Sequence, residues 1–113
     1  MKQSMYREDI VHLDRRLASV GEPAKRQRLS RCLKCKIDEL EAAEMKTITP
    51  RQAYSGSYWK ARAARLRQAS QLYRSQAAHD HLMHVAAGYD SLAERAYKIE
   101  ENTERASAGA SVD

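Results

Sequence analysis

Apolar residues recur along this chain at helical period. Tyr6, Ile10, Leu13, Leu17 and Val20 are spaced 4-3-4-3, so they share one face of a helix over about 5–20. Ser4 stands where an N-cap belongs, and Gly21 where a helix commonly ends. Pro23 suits the first position of a second helix over 23–45, which carries Leu29, Leu33, Ile37, Leu40 and Ala43 inward. So short a connection folds the two helices into a hairpin. The stretch TITPRQAYSGS, residues 47–57, interrupts the pattern. Within it Thr49-Pro50-Arg51-Gln52 has the form of a capping box, which predicts a short helical turn near 50–55, stopped by Gly56. Ser57 then caps a third helix, 57–74, with Trp59, Ala63, Leu66, Ser70 and Tyr73 on one face. Ser75 caps a fourth, 76–101, where Leu82, Val85, Ala86, Tyr89, Leu92, Ala93, Ala96 and Ile99 form the strongest stripe in the chain. Residues 102–113 have no periodicity and are expected to be a disordered tail. The expected fold is all-α: two helical hairpins in one small bundle over 1–101, with hairpins at 1–46 and 57–101 and a linker at 47–56.

Composition adds a thin core. Leu, Ile, Val and Phe number 17 of 113 residues, against 18 alanines, four glycines and two prolines. Alanine favours helix and lets helices approach closely, while so small an apolar complement commonly borrows surface from a second subunit. A homodimer is therefore expected. No apolar run reaches the roughly 18 residues of a membrane span, and MKQSMYREDI lacks the apolar region of a signal peptide. The cytoplasm is the expected location, with both cysteines as reduced thiols.

Trp59, Arg62 and Ala63 spell W-x-x-R-A, and Leu82, Ala86, Tyr89, Leu92, Ala93, Glu94, Arg95 and Ala96 spell L-x-x-x-A-x-x-Y-x-x-L-A-E-R-A. This pattern resembles a group of short, uncharacterised helical proteins of alphaproteobacteria. The resemblance implies a helical hairpin and a bacterial origin and brings no activity with it.

The net charge of +5 is laid out in blocks. Residues 23–37 hold six bases and no acid, residues 38–45 four acids and no base, and residues 46–79 seven bases and no acid. Residues 80–113 hold seven acids and three bases. Antiparallel packing of the third and fourth helices would set Arg65 opposite Asp90 and Lys60 near Glu94. The second helix runs against the macrodipole, basic first and acidic last, and in a hairpin the first helix sets like charges against it. Two copies packed antiparallel about a two-fold axis near Lys36–Asp38 would answer both halves, which makes Arg28, Arg31, Lys34, Asp38 and Glu41 a candidate interface. The fourth helix competes for the basic half, and a solvated helix needs no partner at all. Nucleic acid is the alternative partner, with Lys25, Arg28, Arg31 and Lys34 as phosphate contacts.

Cys32 and Cys35 lie one turn apart inside the second helix, unlike a redox motif, whose helix starts at the first cysteine. A metal site would have to combine them with His81 and His84, without the spacing of a zinc finger. No metal or other cofactor is expected. Gly88, in a helix interior, suggests close packing by another helix. There is no phosphate loop, nucleophile elbow or H-E-x-x-H motif, so no catalytic residue is assigned. The reading is a non-enzymatic helical protein-interaction or regulatory module.

Overall fold

A computed structural model describes the backbone of residues 2–111 and the side chains of residues 5–105. Every regular element among the described residues is helical: α1 (Lys2–Ser19), α2 (Pro23–Met45), α3 (Pro50–Ala53), α4 (Gly56–Ser70) and α5 (Gln76–Ser111). α1 and α2 form one antiparallel hairpin, α4 and α5 a second, and the two meet where α2 runs beside α5. The all-α, two-hairpin bundle is the architecture the apolar spacing predicts. No helix among the described residues is long and apolar enough to cross a membrane.

The core has two parts. Ile10, Leu17, Leu29, Leu33, Ile37, Ala78 and Leu82 bring α1, α2 and the start of α5 together. Trp59, Ala63, Ala86, Tyr89, Ala93 and Ala96 bind α4 to α5, and Leu66 packs against both groups. Alanine dominates the second group because small side chains on both helices let the backbones approach around the single tryptophan. The Trp59 ring stacks on Tyr89, with centroids 5.4 Å apart, and its Nε1 donates to the Ala53 carbonyl at 2.9 Å, fastening the linker.

Helix ends follow local chemistry, with corrections to the sequence reading. Pro23 opens α2 as expected, and Thr49 and Gln52 form the predicted reciprocal capping box of α3. The cap of α4 is Ser55, which accepts from the Tyr58 amide, and Gly56 is the first residue of that helix. Glycine suits this first position because the Tyr97 ring leaves no room for a side chain: a Cβ would lie 2.5 Å from it. The Gly56 amide donates to Glu100 at 2.7 Å. α1 begins at Lys2, so Ser4 lies within it, and Gly21 ends it without a left-handed conformation. α4 stops at Ser70, four residues earlier than expected, which leaves Leu72 83% exposed. α5 continues through Ser111 where a disordered tail over 102–113 was expected; residues 112–113 lie outside the described residues. Extending an established helix is far easier than nucleating one. The added turns contain no proline and carry an Arg105–Glu101 pair at 3.0 Å and a Thr103 hydroxyl bonded to the Ile99 carbonyl at 2.8 Å.

The turn between α4 and α5 is held from outside by α1. Asp14, 4% exposed, accepts from the amides of Arg74 and Ser75 at 2.8 Å each and from the Ser75 hydroxyl at 2.5 Å. The same hydroxyl accepts from the Ala78 amide, so Ser75 caps α5 while it is itself bound by α1. Replacing Asp14 by Ala strands three donors, the two of Ser75 being buried, and hydrogen bonds to a charged group contribute about 1.5–3 kcal/mol each. Urea denaturation of Asp14→Ala is expected to show a loss of at least about 3 kcal/mol, whereas Asp9→Ala, on the exposed side of α1, is expected to stay near wild type.

Candidate interaction surface

Three charged residues stand at core positions. Arg62 follows Trp59 by three residues, and Glu41 follows Leu33 and Ile37 at four-residue steps, so both side chains turn inward with the apolar stripe. Arg62 is 4% and Glu41 8% exposed. The Arg62 Nη2 bonds the Glu41 carboxylate and lies 2.8 Å from Glu44, while Nη1 donates to the Tyr58 hydroxyl at 3.0 Å. Tyr89 donates to Glu41 at 3.1 Å and lays its ring 5.1 Å from the guanidinium carbon. Burial works against the Arg62 charge, but the bonds to Glu41 and Tyr89 outweigh it and hold the group protonated, above its ordinary range. Burial, and then the charge of Glu41, push the Tyr89 phenol up to about 12. Asp14 is the third such residue.

This network alters the interface read from the sequence. Glu41 is enclosed between α2, α4 and α5 and cannot face a second copy. Glu44 is shared between Arg62 and Arg7, the latter at 3.4 Å. Asp38 lies 2.8 Å from His81 Nε2, and Glu39 pairs with Lys36 at 3.4 Å. All four acids of α2 thus have partners inside the chain; of the two acids in the expected interface, Glu41 is enclosed and Asp38 stays exposed. In the second hairpin the register falls close to expectation, but the guanidinium that reaches Asp90 is Arg67, not Arg65. No Lys60–Glu94 pair forms among the described residues.

The basic half of α2 keeps its charge. Lys25 makes an exposed contact with Glu22 at 3.6 Å. Arg28, Arg31 and Lys34 are exposed and form no ion pair among the described residues. Arg31 and Lys34 line a groove of about 370 Å³ with Arg26, Gln27, Ser30, Leu17 and Ala77. Arg26 leans toward the end of α1, donating to the Val20 carbonyl at 3.4 Å. Of the four expected phosphate contacts, Arg31 and Lys34 therefore share a groove, and Lys25 and Arg28 lie outside it. Arg26 belongs to it although the sequence reading did not single it out; its place eight residues before Lys34, on the flank turned to α5, was the available signal.

The cysteines and histidines stay apart. Cys32 and Cys35 are exposed free thiols. No group of three or more His, Cys, Asp or Glu side chains among the described residues is placed to hold a metal ion. His81 and His84 stack with ring centroids 6.3 Å apart and border a second groove, of about 410 Å³, with Asp38, Val85, Gly88, Tyr89 and Leu92. Gly88 is exposed within it, and a Cβ there would meet nothing within 4 Å. The close helix packing expected at Gly88 is absent among the described residues.

No protein-family model matches this chain, and neither does a curated protein or a solved structure.

Breaking a buried ion pair by removing one partner costs about 3–5 kcal/mol. Arg62→Met is expected to lose that much in chemical denaturation. The double change Arg62→Met with Glu41→Leu should recover a large part of it, because no buried charge is then left alone. Gly88→Ala is expected to raise the denaturation midpoint, by up to about 1 kcal/mol of stability, since alanine is the better helix former and the space is open.

Proposed function

We propose that this protein is a non-enzymatic helical interaction module of the cytoplasm that presents the basic flank of α2 to an anionic partner. The observation that carries this reading is the asymmetry of α2. Its acids, Asp38, Glu39, Glu41 and Glu44, are all answered within the chain, while Arg28, Arg31 and Lys34 stay exposed and unpaired among the described residues. Such a helix also runs against its own macrodipole at its basic end, which an incoming negative charge would relieve. Self-association through two copies of α2 is the less favoured form of the module, because Glu41, one of the two acids it needs, is enclosed and bound to Arg62.

Retention on immobilised heparin, a sulfated polyanion, tests the reading against net charge alone. Reversing Arg31 and Lys34 to Glu is expected to move elution to much lower salt. Reversing Lys46 and Arg51, also exposed, changes net charge equally and should move it far less. Equal shifts for both pairs would leave no special role to the α2 flank.

A further inference from the structure

We infer that the groove lined by Arg26, Arg31 and Lys34 takes the phosphate backbone of duplex nucleic acid, without reading its sequence. This inference rests on the anionic-partner reading above and names the partner class. The groove is built for anions in its chemistry as well as its charge. Three cations stand along one flank of α2, from Arg26 to Lys34, a span of about 12 Å at the helical rise. Between them Gln27 and Ser30 offer neutral hydrogen-bond donors, and no carboxylate lines the groove. Its far wall is formed by Leu17 of α1 and by Ala77 in the first turn of α5.

Two features select a duplex backbone over bases or a single strand. α2 is flanked by α1 on one side and α5 on the other. The groove is a concavity between them, lined also by Leu17 of α1 and Ala77 of α5, and cations seated in a concavity meet the protruding phosphates rather than base edges at the floor of a major groove about 8.5 Å deep. No Trp, Tyr or His lines the site, so it lacks the stacking platform on which single strands depend. What remains is contact with phosphates, which positions a protein on a duplex and carries no sequence information. An acidic protein surface would also meet the charge, but its carboxylates are not spaced in a regular row, whereas duplex phosphates present one to each cation in turn.

The test is fluorescence anisotropy with a labelled duplex of mixed sequence, titrated across a salt series. Three phosphate contacts predict that the logarithm of affinity falls against the logarithm of salt with a slope of about −2.7. Changing Arg31 and Lys34 together to Gln is expected to flatten that slope by about two, one for each phosphate contact removed. The matched change of Lys46 and Arg51 to Gln, exposed beyond the end of α2 and outside the groove, should leave the slope unaltered. Circular dichroism establishes that both variants keep wild-type helicity. A second duplex of unrelated sequence should bind equally well, and polyglutamate at equal charge should compete poorly. Equal flattening by the two pairs, tighter binding of a single strand, or full competition by polyglutamate would overturn the duplex assignment. No duplex binding, with heparin retention still sensitive to Arg31 and Lys34, would overturn it too while leaving the anionic-partner reading intact.

Discussion

The fold depends on one buried cation. Arg62 lies where α2, α4 and α5 meet, and its guanidinium reaches a side chain from each: Glu41 and Glu44 from α2, Tyr58 from α4, and the face of Tyr89 from α5. Enclosing a charge carries a desolvation cost that only well-placed partners offset. Glu41 therefore has to be present, turned inward and unavailable elsewhere. Tyr89 completes the arrangement by donating to the same carboxylate, and its ring supports Trp59. The orphaned Arg62 Nε, buried without an acceptor, marks the limit of what this cluster satisfies.

The two hairpins are joined by a short apolar contact with a polar clamp at either end. Leu33 and Ile37 meet Ala78 and Leu82 in the middle. At one end Asp14 of α1 holds the turn that begins α5; at the other Glu41 of α2 holds Arg62 of α4. A chain with so few large aliphatic residues cannot fix the relative position of two hairpins by apolar area alone. Hydrogen bonds to charged groups have narrow geometry, and they supply the register that a broader core would otherwise provide.

How much of this was legible in the sequence depends on what kind of signal each residue gives. The heptad-like spacing from Leu82 to Ala96, the proline at position 23 and the Thr49–Gln52 box are local signals, and local structure followed them. Asp14, Glu41 and Arg62 escaped because charge by itself suggests solvent. Yet each sits in step with an apolar stripe: Asp14 four residues after Ile10, Glu41 four after Ile37, Arg62 three after Trp59. An ionisable side chain in that register asks for a buried partner, and opposite charges in two such places suggest each other. The extension of α5 was hidden for a different reason, since its last turns carry no stripe and inherit helical form from the packed turns before them. Ser55 was passed over as the cap of α4 because the tight fit of Gly56 against Tyr97 exists only once the hairpin has formed.

The same internal pairing explains where charge is left over. A helix with six bases followed by four acids looks self-complementary on paper, and a symmetric dimer is the simplest way to satisfy it. Folding withdraws Glu41 from the surface at one end. Arg62 comes from the neighbouring hairpin and pairs with Glu41 and Glu44 in the act of holding the bundle together, while Arg28, Arg31 and Lys34 form no ion pair among the described residues. The basic surface is therefore a consequence of how the core is closed. Any substitution that frees Glu41 would both loosen the hairpins and place a carboxylate where it could fold back toward the basic half. Stability and the charge layout of α2 consequently share Arg62.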